Sequence, residues 1–197
     1  MRPISDDMRT SMRGAAAVFA ERGFDGTTME ALREVTGVPT STLYYYFEGK
    51  EQVLTFLLED WLDRTAAAAA EAIATERTAK ERLGDLVAAQ LTAMANDPAT
   101  CQVLLAELGR IDRLPHIAEA VQSAFHRPVA KLLADGAADR HLRSVDVDVA
   151  TSVLYGAVII SGLHHIIDAR DEVPAFDATE VAASVMDLVL HGLESEE

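Results

Sequence analysis

What this chain lacks narrows its class before any motif is considered. One cysteine, Cys101, in 197 residues excludes an internal disulfide framework and fits a reducing compartment. It sits in the apolar stripe Cys101, Leu104, Leu105, Leu108, where a small buried hydrophobe belongs. Eleven glycines and six prolines are too few for a disordered chain, and no segment alternates with period two as a half-buried strand would. There is no glycine-rich phosphate loop, no His-Glu-x-x-His, and no nucleophile with a sequence-visible base, so no enzyme and no cofactor is expected. His116, His126 and His141 form no pattern, and the i, i+4 pair His164 and Asp168 falls short of a metal site. The first residues, Met1 to Asp7, have no apolar core of a secretory signal, so the expected location is the cytoplasm.

Positive charge is also scarce: 17 Lys and Arg face 32 Asp and Glu, a net −15. The deficit is uneven. Residues 1–50 hold six basic against seven acidic side chains, a balance of −1, and the remainder holds 11 against 25, a balance of −14. The second part would repel a phosphate backbone, so only the first can approach nucleic acid. Nineteen residues from Val149 to Ile167 carry no Asp, Glu, Lys or Arg, close to the length of a bilayer span. Thr151, Ser152, Ser161, His164 and His165 interrupt them, acidic residues flank them, and no Lys/Arg cluster marks a cytoplasmic end. The expectation is a helix buried on several sides in a soluble assembly, with no membrane partner.

What is present is helical. The pattern predicts a first helix over about 6–22, capped by Ser5 and ended by Gly23. A capping box of Thr27 and Glu30 opens a short second helix, which Gly37 breaks. Pro39 starts a third of about seven residues, and a long helix follows from Lys50 to about Thr75 with no linker before it. Five more are expected: Thr78 to about Ala95, Asp97 to about Ile111, Pro115 to about Ala137, about 146–169, and Asp177 to about Gly192. Two short helices joined at Gly37 and braced by the first make a helix-turn-helix.

The segment Gly37 to Phe47, with Lys50 just beyond, combines small hydroxyls, three successive tyrosines and a cation. Buried, each hydroxyl would need a partner; at a DNA edge all are useful. Thr40, Ser41 and Thr42 occupy the end of the helix that faces bases in this motif. Tyr44, Tyr45 and Tyr46 step about 100° apart, so they cannot all face the core occupied by Leu43 and Phe47. Lys50 and Thr28 are in reach of phosphates.

From Ala15 to Leu54 the chain resembles the DNA-binding domain of the TetR family of bacterial transcription regulators. The resemblance rests on Phe19, Gly23, Thr27-Thr28, Gly37-Val38, Leu43-Tyr44-Tyr45-Tyr46-Phe47, Lys50-Glu51 and Leu54. It implies an all-α protein of about nine helices, with a helix-turn-helix domain over 1–49 continuous with an effector-binding and dimerisation domain over 50–197. It also implies a homodimer on a palindromic operator of double-stranded DNA, released by a small apolar or amphipathic effector. Thr28, Tyr45, Tyr46 and Lys50 fall on the family's phosphate-contacting positions, and Thr40, Ser41, Thr42 and Tyr44 on its base-reading or groove-lining ones. The chain departs from the family where Tyr46 replaces a common histidine and Pro39 a common serine cap. An effector-independent DNA-binding dimer and an activator of the same fold are the competing readings.

In the acidic part, a self-complementary two-fold interface is expected on the last two helices. The candidates are Ala150, Val153, Ala157, Ile160 and Ser161 on the first, and Ala178, Ala182, Val185 and Val189 on the second, which would pair as a four-helix bundle. Trp61, Met94, Leu105, Leu108, Phe125, Tyr155 and His165, from several helices, are the candidates to line an effector cavity.

Overall fold

The computed structural model describes residues 4–107, 115–169 and 173–191, and every regular element among them is a helix. These are α1 (Asp6–Arg13), α2 (Ala15–Gly26), α3 (Met29–Thr36), α4 (Thr40–Tyr46), α5 (Lys50–Ile73), α6 (Ala79–Asn96) and α7 (Pro98–Glu107), then α8 (Pro115–Val121), α9 (Arg127–Ala138), α10 (Val147–Asp168) and α11 (Ala178–His191). Gly14, between α1 and α2, keeps right-handed helical angles, and a π-helical turn over Gln122–His126 joins α8 to α9. Counting each of these pairs as one rod returns the nine helices read from the sequence. The expected ends of the seventh-helix region at Ile111 and of the last helix at Gly192 lie outside the described residues.

Two compact units emerge, one of residues 1–61 with 99–118 and one of 62–98 with 119–197. α5 belongs to both, as one uninterrupted helix. In the first unit, Met12, Phe19, Leu32, Leu43, Phe47, Val53, Leu58 and Trp61 form the core. Phe47 packs on Phe56 with ring centroids 5.5 Å apart. Arg9 ties α1 to α5 through Asp60 at 2.7 Å and lies over the Phe56 ring.

In the second unit α6 is the central rod, packed against α9, α10 and α11. Leu83, Leu86, Val87, Leu91 and Met94 supply its buried side. Gly162 lets α10 approach: a methyl there would overlap the end of the Met94 side chain. The π turn has a local cause. Pro128 has no N–H to give the carbonyl of residue 124, and its ring crowds that carbonyl. The buried amide of Gln90, from α6, donates to the Ala124 carbonyl instead, at 3.0 Å.

Two local expectations need correction. Thr27 does not cap α3: its hydroxyl donates to the Gly23 carbonyl at 2.7 Å. Thr28 caps instead, accepting from Ala31 N at 3.2 Å. The helix starts one residue later than the box requires, and Glu30 pairs with Arg33 at 2.6 Å.

The long apolar helix, expected to be buried on several sides in an assembly, is buried on one side within this chain. Thr151, Leu154, Val158, Ile159, Gly162 and Ile166 face inward. Val149, Val153, Ile160 and Ile167 are exposed, with Val153 60% and Ile160 63% accessible. By length and composition α10 could cross a membrane; its inner face is packed against α6, α9 and α11.

Candidate nucleic-acid interface and sensor unit

The reading surface is built from two tight turns. Gly37 adopts φ +68°, a left-handed conformation that ends α3 and that a side chain would strain. Pro39 then opens α4, its carbonyl accepting from Thr42 N and Leu43 N, both at 2.9 Å. Proline offers no side-chain acceptor, so the first N–H groups of α4 are left open at the end of the helix that carries partial positive charge.

Leu43 and Phe47 are buried, which fixes the rotation of α4. That rotation exposes Thr40, Ser41, Tyr44 and Tyr45 and leaves Thr42 and Tyr46 half-buried. Tyr44 and Tyr45 are 56% and 57% accessible. The Tyr45 and Tyr46 rings meet edge to face with centroids 4.9 Å apart, so each restricts the other. Thr28 is exposed, and because its oxygen caps α3 its hydroxyl proton is free to donate outward. Nearby acidity is neutralised within α3. The Arg33 guanidinium bonded to Glu30 holds that carboxyl below the usual carboxylate range.

Lys50 differs from the expectation of a cation open to a phosphate. Its Nζ donates to the carbonyls of Phe24 at 2.7 Å, Asp25 at 3.1 Å and Thr27 at 2.9 Å. It also lies 4.6 Å from the centroid of the Phe24 ring. No spacing rule in the sequence points to these partners, which are 23 to 26 residues away.

Residues 12–55 match the family model described as bacterial regulatory proteins, tetR family. That segment belongs to the TetR family. Among curated relatives, the transcriptional repressor KstR2 of Mycolicibacterium smegmatis is 28% identical over 138 residues, covering 68% of this chain and 67% of the relative. The fatty acid degradation regulator FadR of Bacillus halodurans superposes with a TM-score of 0.84 at 21% identity, covering 99% of this chain and all of the other. FadR of Bacillus subtilis, solved in complex with stearoyl-CoA, gives 0.79 at 20% identity, covering 93% and 98%. At these identities the two structures establish the shared fold.

The effector candidates are dispersed. Leu108 lies outside the described residues. Trp61 and Leu105 belong to the first unit, buried and half-buried respectively. In the second unit Phe125 meets Tyr155 edge to face at 5.7 Å, and His126 tilts against the same Tyr155 ring at 4.4 Å. Met94 is buried against Gly162. His165 lies against Phe176, 5.3 Å between centroids, beside a groove of about 340 Å³ between α10 and α11.

The sequence reading missed a larger groove of about 720 Å³ lined by Leu83, Leu142, Val149 and Val153 and by the cations Lys80 and Arg143. A signal existed: Arg140, His141 and Arg143 make a basic loop in an otherwise acidic half.

The interface candidates divide. Ala150, Val153, Ala157, Ile160 and Ser161 are exposed or half-buried along α10, and Val189 is exposed on α11. Ala178, Ala182 and Val185 are not available to a partner: they are buried in the chain itself, on the side of α11 packed against α6. Helical spacing defines a stripe without saying which neighbour it meets. The free side of α11 carries Ser184 and Leu188 instead.

Proposed function

We propose that this chain is a cytoplasmic transcriptional repressor of the TetR family that binds a palindromic operator as a homodimer and leaves it when an amphipathic effector binds. The observation that carries the reading is α4, a helix anchored by Leu43 and Phe47 that exposes Thr40, Ser41, Tyr44 and Tyr45. In this motif such a helix enters the major groove, with its N-terminal hydroxyls at base edges. Thr28, Tyr45 and Tyr46 contact phosphates, with Lys50 supporting them, and residues 1–49 act as the DNA-binding domain. The near-neutral charge of this part removes the repulsion that the rest of the chain would impose.

Residues 50–197 serve as the effector and dimerisation domain. The exposed stripe of Val153 and Ile160 on α10 is too apolar to be left to water, and with Leu188 and Val189 of α11 it suits a two-fold four-helix bundle. Curated relatives are named as repressors, and one solved relative holds stearoyl-CoA. An apolar groove lined by Leu83, Leu133, Leu142 and Val149, with Lys80 and Arg143 beside them, supports an effector with an anionic head. Effector binding favours a tilt of α5 that spoils the recognition-helix spacing of about 34–36 Å.

Footprinting on DNA upstream of the chain's own coding region, with and without saturating stearoyl-CoA, tests this. Symmetric protection that the thioester abolishes is expected. Absence of protection on every genomic fragment would overturn DNA binding. Protection unchanged by stearoyl-CoA and by free fatty acids would leave the effector-independent dimer.

A further inference from the structure

We infer that Lys50 serves DNA binding as a positioning residue: its ammonium locks the α2–α3 corner that presents Thr28 and does not itself bind a phosphate. An ammonium has three N–H donors and no acceptor. All three are matched by the carbonyls of Phe24, Asp25 and Thr27, at 2.7, 3.1 and 2.9 Å. These carbonyls lie just after the break in helical backbone at Gly23, φ +67°, in the short turn that leads to α3; the Phe24 carbonyl also accepts from Thr27 N at 3.3 Å. The Phe24 ring under the ammonium adds a cation–π contact and is itself stacked against Phe19 in the core.

The consequence runs along the chain. Thr27 is held at both ends, its hydroxyl on the Gly23 carbonyl and its own carbonyl on Lys50. The next residue is Thr28, which caps α3. Lys50 is also the first residue of α5. One side chain therefore ties the end of α2 and the start of α3 to the start of α5, and α4 lies between α3 and α5 in the chain. A phosphate recruiting this ammonium would strip at least one carbonyl of its donor, which opposes the exchange.

The inference rests on the DNA-binding reading, and its test separates the two. Lys50→Arg and Lys50→Met are compared with the parent chain on the upstream duplex that the parent protects. Arginine keeps the charge but spreads its donors over a planar fork that cannot converge on three carbonyls. Both variants should bind about tenfold or more weakly, the effect of losing one charge-assisted hydrogen bond, and both should exchange the amides of residues 24–28 faster in the free protein. Combined with Thr28→Ala, Lys50→Met should cost less than the sum of the two single losses, because both act on one corner. Parent-like binding by Lys50→Arg, additive losses, or a scalar coupling between the Lys50 ammonium and DNA phosphorus would each overturn the inference. If the parent chain protects no duplex, the DNA-binding reading fails, while amide exchange still decides whether Lys50 locks the corner.

Discussion

α4 and α10 both expose what a helix of a soluble monomer usually hides or omits, and they do so with opposite chemistry. α4 shows water a set of hydroxyls and two tyrosine rings on seven residues; α10 shows it Val149, Val153, Ile160 and Ile167 on twenty-two. Each has one well-packed face, so the exposed face is not a folding failure. Hydroxyls and rings suit a polar edge with phosphates around it, where each contact is directional. Aliphatic stripes suit a second apolar surface, where the gain is non-directional burial. The surface chemistry of each helix therefore names the kind of partner it can take, and the charge split between the two parts of the chain keeps the partners apart.

The comparison breaks most severely if α10 is given a charge. Val153→Glu combined with Ile160→Glu should leave each chain folded but weaken self-association about a hundredfold or more, since two desolvated carboxylates per chain would cost several kcal/mol. Sedimentation against concentration measures this. Ala182→Glu, on the buried side of α11, should instead lower the melting temperature of the chain. If it dissociates an intact dimer, the assignment of the two α11 faces is reversed.

On the α4 side, Leu43→Ala should destabilise the first unit by about 2–5 kcal/mol through lost burial and a residual cavity. Tyr44→Ala should stay within about 0.5 kcal/mol in stability, as exposed substitutions do, yet weaken operator binding. Denaturant titration beside DNA titration separates the two effects. An equal stability loss from both would mean that Tyr44 is a packing residue.

Gln90→Leu tests the joint at the π turn. It leaves the Ala124 carbonyl without its donor and should cost about 1–3 kcal/mol, seen by urea unfolding. Parent-like stability would show that the turn does not need the amide.

The smallest effect is a pH dependence from His126, whose partial burial holds its pKa below the ordinary value. The depressed value means the folded state prefers the neutral ring. The stabilisation is fully present above the ordinary histidine pKa of about 6.5 and is lost as pH falls through the lower folded value. His126→Phe should flatten the melting-temperature profile over that acid range; a parent-like slope would assign it to other groups.

Much of this was legible because it is local. Ser5 and Thr78 cap their helices as their side chains dictate, accepting from Met8 N and Glu81 N. Leu43 and Phe47, four apart, anchored α4 before any neighbour was known, and the exposure of at least two of its three tyrosines followed. The same reasoning went astray at Thr27. A hydroxyl beside a helix start has two carbonyl or N–H partners in reach, and which one it takes depends on how α2 closes at Gly23.

Periodicity also found the stripe of Ala178, Ala182 and Val185 but assigned it to the wrong neighbour, because a 3.6-residue repeat reports that a face is apolar and nothing about what covers it. The sequence alone thus determined helix positions, several caps, the family of the DNA-binding segment and the charge asymmetry, all of which depend on residues within a few turns of one another. Three matters waited for the folded chain: the three carbonyls under Lys50, the bond from Gln90 to Ala124, and the face of α11 that meets α6. Each depends on groups separated by many residues, brought together by packing that no local pattern encodes.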